Sequence, residues 1–339
     1  MHNKTRALFQ TYTDQLSRLN GVESTSTKFS IDPTVEQTLE DRIQDSADFL
    51  QSINMISRTE QSGQILGLGA SGPVAGRTNT AEKDRKPRAV TGLTKREYTC
   101  RKTDFDTFVP YALLDSWAKF PDFHARIRDH VTRQIARDRL MIGWNGTSAA
   151  ANTNPVKNTL LQDVNIGWLQ HLRTDAPARV MSGKKMGEAK GADYRNLDAL
   201  VFDVCNELVA EHHRGDPSIV VIVGNQLLND RYLSLINNPT ADAPTERAAW
   251  QTTILNKTIG GRSALTVPFF PARSVLVTSP SNLSIYWQAG SHRRHIEDEP
   301  KRDRIVDYLS INEAYVVEDM GKCALVEGIL LPDGQDGWA

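Results

Sequence analysis

Cysteine is scarce in this chain. Three are present in 339 residues, Cys100, Cys205 and Cys323, odd in number and far apart. No CxxC or His/Cys spacing of the zinc-binding kind occurs, so neither a disulfide framework nor a structural metal is expected, and the thiols are read as reduced. An excess of one charge is also missing. Lys and Arg total 40 against 41 Asp and Glu, a net of −1, which removes the global basic footprint of a sequence-reading nucleic-acid binder. No apolar run approaches the roughly eighteen residues of a membrane span. The segment Met1 to Arg18 is polar and amphipathic, unlike a secretory signal. Apolar residues make up 39% and charged residues 24%, a little poor in core-formers for a compact enzyme. The length suffices for one large domain or two modest ones with a sizeable core, so some segments are expected to lie outside it.

Catalytic signatures are missing as well. There is no GxxxxGK[ST], no HExxH and no GxSxG elbow. Gly67-Leu68-Gly69-Ala70-Ser71-Gly72 matches GxGxxG, and an α/β dinucleotide-binding enzyme using loop 67–72 is the alternative reading. That reading needs a helix opening at the third glycine. Pro73 follows at once and Pro87 soon after, which argues for a glycine-rich loop. His212 and His213 are adjacent, and on a helix they point about 100° apart, awkward for a shared metal. His292 and His295 flank Arg293 and Arg294, whose charges oppose a cation, so a solvated or interface patch is expected. Asp203 with Glu207, and Asp298 with Arg302, read as surface charges. Nothing nominates a nucleophile with its base, and no enzyme activity, cofactor or metal is expected.

What is present is a series of arms around two folded sections. Leu8, Phe9, Tyr12, Leu16 and Leu19 fall on one face of a helix that Asn20-Gly21 ends. Residues 23–28 read as a linker, which makes 1–28 a detachable helix. Asp32 is a good N-cap with Pro33 at the first helical position; Val35, Leu39, Ile43, Phe49, Leu50 and Ile53 carry the apolar face. Residues 57–103 are glycine-rich and hold ten basic against four acidic residues, a net of about +6. A loop that long suits a projecting arm, which a net acidic surface elsewhere complements. A nucleic-acid-binding role for the arm is weaker, because its basic residues lack interleaved aromatics.

Phe105, Thr107 and Val109 alternate as in a strand. A long helix is expected over 121–144, with Phe123, Ile127, Val131, Ile135 and Ile142 inward and Arg126, Arg128, Arg133, Arg137 and Arg139 on other faces. Residues 145–160 and 181–192 read as loops. An α/β section follows, with helices over 197–212 and 225–236, strands over 219–223, 275–277 and 283–287, and a loop over 237–248. Strands at 314–318 and 323–331 are expected to return toward the long helix. No internal repeat is evident.

This order of parts resembles the Hong Kong 97-type capsid fold. More closely, the chain is similar to the major capsid proteins of P-two-like (peduovirus-type) tailed phages. The likeness is carried by Lys28-Phe29-Ser30-Ile31-Asp32-Pro33, Ser46-Ala47-Asp48-Phe49-Leu50, and Leu161-Gln162-Asp163-Val164-Asn165-Ile166-Gly167-Trp168-Leu169-Gln170. It continues through Ala176-Pro177-Ala178-Arg179-Val180-Met181, Val220-Val221-Ile222-Val223-Gly224, Asn282-Leu283-Ser284-Ile285-Tyr286, Ser291-His292-Arg293-Arg294 and Tyr315-Val316-Val317-Glu318-Asp319. Residues 57–97 and 145–158 contribute little beyond glycine-rich character.

The resemblance implies an α+β Hong Kong 97-like fold: a prosegment at 1–29, an N-arm at 30–56, and an E-loop with flanking strands at 57–108. A P-domain at 109–195 includes the spine helix 121–144, an A-domain follows at 196–290, and P-domain return strands occupy 291–339. It implies hexamers and pentamers of this chain in an icosahedral shell around double-stranded DNA, packaged without sequence specificity. An internal scaffolding protein with protease activity and a portal protein are the implied partners, with assembly in the host cytoplasm and residence in the virion. Maturation cleavage is expected near Phe29 and Ser30. Arg77, Lys83, Arg85, Lys86 and Arg88 are the expected intersubunit arm residues. No Lys–Asn–acid crosslinking triplet can be placed, so no covalent crosslinks are expected.

Overall fold

A computed structural model describes residues 1–70, 75–87, 91–228, 258–332 and 337–338, with backbone only at 66–70 and 91–95. Its elements are organised by one helix and one strand. The helix Phe123–Asn145 runs for 23 residues, about 34 Å at 1.5 Å per residue. Phe123, Ile127, Val131, Ile135 and Ile142 are all buried along it, as their spacing predicts. The strand Arg304–Val317 runs for 14 residues and pairs with four others.

Around that strand lies a seven-stranded sheet, here the main sheet. It takes in Phe29–Ser30, Asn54–Arg58, Arg101–Asp104, Thr107–Pro110, Leu283–Gln288 and Arg293–Glu299. The helix Pro33–Asp45 begins where its cap predicts, with Asp32 accepting from the Thr34 amide. It stops at Ser46, and a separate short helix Asp48–Ser52 carries Phe49 and Leu50 into the core.

A six-stranded sheet forms the second section, here the lobe. Its strands are Val180–Ser182, Val220–Val223, Thr258–Ile259, Arg262–Leu265, Val275–Thr278 and Ala324–Glu327. The helix Leu197–Glu207 covers it with Leu200, Val201 and Val204. The β-branched strands Val220–Val223 and Val275–Thr278 pair with each other and are almost wholly buried, as strands covered on both faces should be. Of the helix expected over 225–236, residues 225–228 are helical. Its remainder and the loop 237–248 lie outside the described residues.

Two expectations need correcting. Leu283–Gln288 belongs to the main sheet rather than to the α/β section, while Val180–Ser182 joins the lobe. The last strand does not return beside the long helix. Ala324–Glu327 re-enters the lobe, between Val275–Thr278 and Val180–Ser182. Neighbouring segments in sequence serve different sheets because only the short turn Pro280–Asn282 separates Val275–Thr278 from Leu283–Gln288.

Candidate assembly surfaces and the buried clamp

The glycine-rich basic segment forms a two-stranded hairpin that stands apart from both sheets. Ser62–Ala70 and Thr91–Thr99 run antiparallel through nine residue pairs. Gly67 and Gly69 sit in its ladder opposite Thr94 and Gly92, where they form strand rather than a phosphate cradle. Ser71, Gly72 and Arg88 lie outside the described residues. Arg77, Lys83, Arg85 and Lys86 are all exposed, and none makes an ion pair with another described residue.

The root of the hairpin is packed against the main sheet. Tyr98 packs edge-on against Tyr286 with centroids 5.0 Å apart, and the Arg58 guanidinium lies 4.3 Å over the Tyr286 ring. Tyr286 donates to Glu318 at 2.9 Å, and Arg96 donates to the Glu318 carbonyl at 2.6 Å. Gly63 leaves room for the Tyr98 ring, since a Cβ there would stand 2.8 Å from its Cε1. The aromatic and guanidinium contacts fix the direction in which the arm leaves the body.

The N-terminal helix Asn3–Leu19 is docked rather than free. Tyr12 is buried among Tyr111, Leu114, Phe123, Ile127, Ile296 and Ile305, with Leu8, Phe9 and Leu16 partly covered. Leu19 points away and is 61% exposed. Gly21 takes a positive φ of 63°, the left-handed stop that the Asn-Gly pair predicts. Phe29 and Ser30 form the sheet edge, paired with Arg294 and Arg293. Phe29 is buried and Ser30 exposed. The expected cleavage point therefore lies on a paired strand, and the preceding linker is tied at Thr25, whose carbonyl accepts from Ile296 at 2.9 Å.

Beneath these surfaces lies a constellation that sequence reasoning missed. Arg139 is fully buried and grips Glu40 through two bonds of 2.6 and 3.0 Å, while its Nε reaches Glu313 at 2.9 Å. His292, also buried, bonds Glu36 through Nδ1 and Glu40 through Nε2, the latter at 2.9 Å. Gly290 donates to Glu36 at 2.9 Å, and Tyr315 to Glu313 at 3.0 Å. This clamp joins the helix Pro33–Asp45, the long helix, the long strand and the turn before Arg293–Glu299. Two sequence expectations fail here. Arg139 does not coat an outer face, and His292 is no solvated patch.

Burial would raise the Glu40 carboxyl, but the Arg139 charge and the His292 bond outweigh it and hold it at about 2. Burial would likewise raise Glu36, and the His292 and Gly290 donors outweigh it. Burial pushes Glu313 up, and the Glu40 charge adds to it. Burial works against a charged His292, yet its two carboxylates raise it above the ordinary 6.5. The clamp thus ties the helix Pro33–Asp45 to the body through hydrogen-bonded charge partners buried from water.

The thiols of Cys100 and Cys323 are buried and pushed up to about 11 by that burial, the state of inert packing cysteines. No described helix is long and apolar enough to cross a membrane.

A mixed α/β body with a projecting hairpin is the Hong Kong 97-like architecture of phage capsids. Over 84% of this chain and 90% of the other, the fold superposes on the capsid of an empty GTA particle with a TM-score of 0.53 at 13% identity, which establishes fold alone. Residues 8–329 match the family described as phage major capsid protein, P2 family, and the chain belongs to that family. It is 41% identical to the protein described as "Capsid proteins" of Escherichia phage P2, over 98% of this chain and 96% of that one. It is 38% identical to the major capsid protein of Serratia phage KSP20, over 99% and 100% of the two. A chain of the satellite phage P4 procapsid that includes the size determination (Sid) protein superposes with a TM-score of 0.78 at 39% identity, over 98% of this chain and 99% of that one. As a phage major capsid protein the chain is a structural component of the virion, and the dinucleotide-enzyme reading of 67–72 finds no support.

Proposed function

We propose that the chain builds an icosahedral head around double-stranded DNA, assembling as hexamers and pentamers with no catalytic activity and no cofactor of its own. The observation that carries this reading is the basic hairpin: a root packed on the main sheet and, beyond it, exposed cations that have no described partner within the chain. Such an arm gains its ion pairs on a neighbour, where each contact is weak but closed symmetry repeats it many times.

In this reading residues 30–56 are the N-arm and 57–108 the E-loop. Residues 109–195 with 291–339 make the P-domain, and 196–290 most of the A-domain. The prosegment 1–29 serves assembly in the host cytoplasm on an internal scaffolding protein, and its protease removes the segment near Phe29 and Ser30. The portal occupies one vertex, and DNA is enclosed through charge alone.

Co-expression with the scaffolding protein, followed by electron microscopy, tests the shell. Closed particles are expected from the wild type. The variant Arg77→Gln, Lys83→Gln, Arg85→Gln, Lys86→Gln should stay folded and fail to close. Wild-type assembly in this variant sinks the arm's role. Intact-mass measurement of DNA-filled heads should show a chain starting close to Ser30; retention of residues 1–29 refutes the cleavage.

A further inference from the structure

At the seam between the main sheet and the lobe, three metal-ligating side chains meet from two distant segments. His212 and His213 occupy the 3-10 turn Glu211–His213, just beyond the lobe helix. Asp319 caps another 3-10 turn, Met320–Lys322, two residues after the long strand ends at Val317. Ligand atoms from all three lie within 4.8 Å of one another. The two rings stand 4.1 Å apart with a 48° tilt, and His213 Nε2 lies 2.8 Å from Asp319 Oδ2. Adjacent histidines diverge on an α-helix, but this turn is not one, and the expectation drawn from helical geometry does not apply.

We propose that His212, His213 and Asp319 form a surface site for one divalent transition-metal ion of the Zn2+, Ni2+ or Cu2+ class. Two imidazoles and a carboxylate are the donor set these ions prefer, whereas Mg2+ and Ca2+ favour all-oxygen shells. Metal–ligand bonds of about 2.0–2.2 Å place tetrahedral ligand atoms about 3.3 Å apart. On binding, the His213 Nε2–Asp319 Oδ2 pair opens from 2.8 Å toward that value and the wider spread, within 4.8 Å, closes toward it.

The frame is already built. Asp319 Oδ1 accepts the Gly321 amide at 2.7 Å, which leaves Oδ2 for the ion. The Asp319 amide donates to Asn282 at 2.8 Å. The two ligating segments are strapped together by Ala210 donating to the Gly321 carbonyl at 2.9 Å, and the His213 amide donates to Ala210 at 2.8 Å. Such outer bonds orient ligands before the metal arrives and lower the ordering cost of binding. The neighbouring Lys322 ammonium is drawn to Asp216 at 2.6 Å. His212 and Asp319 are exposed, so water completes the coordination. An ion here staples the lobe to the strand that leaves the main sheet.

Calorimetric titration of the soluble full-length chain with Zn2+ or Ni2+ tests the site, with Cu2+ electron paramagnetic resonance as the structural readout. One ion per chain is expected, with two coordinating imidazole nitrogens in the spectrum. His212→Ala, which removes an exposed ring, should weaken binding at least about tenfold and leave one nitrogen. The double variant His212→Ala, His213→Gln should abolish it. Asp319→Asn keeps an acceptor for Gly321 and should also weaken binding. His171→Asn, at the two-ligand pair His171–Asp175, should change nothing. Unaltered affinity and spectrum in the double variant, or no stoichiometric binding by the wild type, overturns the proposal.

Discussion

The clamp and the hairpin tip use the same side chains to opposite ends. In the clamp, Arg139 and His292 are 1% exposed or less, and each holds two carboxylates. At the tip, Arg77, Lys83, Arg85 and Lys86 stand in solvent without described partners. Desolvated charges are costly unless satisfied on every side, so the clamp fixes one geometry for the helix Pro33–Asp45. Solvated charges cost the fold nothing, so the tip remains available to a neighbour. The clamp specifies the subunit, and the tip is free to specify the assembly.

The sharpest way to break the contrast is Arg139→Met. Removing the cation strands Glu40 and Glu313, and a loss of about 3–5 kcal/mol in urea unfolding is expected. Replacing Glu40, Arg139 and Glu313 together by Leu, Met and Leu should recover most of it; if the triple variant is as unstable as the single one, packing rather than charge governs the site. Next in size is Gly143→Ala. Its Cβ would stand 2.3 Å from Cζ3 of Trp168, and such overpacking costs about 1–3 kcal/mol. A denaturation midpoint equal to wild type contradicts that packing.

Titration comes third. His292 binds its proton more tightly folded than unfolded. Its contribution is therefore complete below pH 6.5 and is lost as pH rises through the raised folded value. Glu313, also raised, works in the same direction: its contribution is present below the ordinary 4.5 and is lost as pH rises. Glu36 and Glu40 are lowered, so theirs is present above the ordinary 4.5 and lost as pH falls, for Glu40 through about 2. Urea midpoints should decline above pH 6.5 in the wild type and flatten in His292→Gln. An identical slope in the variant assigns the decline elsewhere. Smallest is the neutralised tip, whose four substitutions should move the stability of the soluble chain by no more than about 0.5 kcal/mol while shell closure fails. A larger drop by thermal melting would mean that the tip contacts its own subunit.

Much of this was legible in the residues. The five apolar positions of the long helix are all buried, Asp32 caps where expected, Gly21 stops its helix, and the β-branched strands lie at the centre of the lobe. The clamp was not, although part of its signal was present. The stripe Phe123, Ile127, Val131, Ile135 advances in steps of four, and the next step falls on Arg139. Charge alone suggested an outer face, whereas periodicity places that residue inside. Glu36 and Glu40 share the inward face with Ile43 in the same way. His292 was hidden differently, because its partners lie 252 and 256 residues away and only the sheet brings them together. The crossing of strands between the two sheets has no local signature at all.

That crossing sets an order in time. Val275–Thr278 has its neighbour Val220–Val223 early, but its other edge is covered only by Ala324–Glu327. Until residues 324–327 leave the ribosome, the lobe exposes an open strand edge, a template for pairing with the wrong chain. A nascent subunit is thus unfinished in its lobe until after the long strand of the main sheet has been made. The strand Ala324–Glu327 acts as a completion signal: only a chain made through residue 327 has its lobe sheet joined from Val180–Ser182 to Thr258–Ile259.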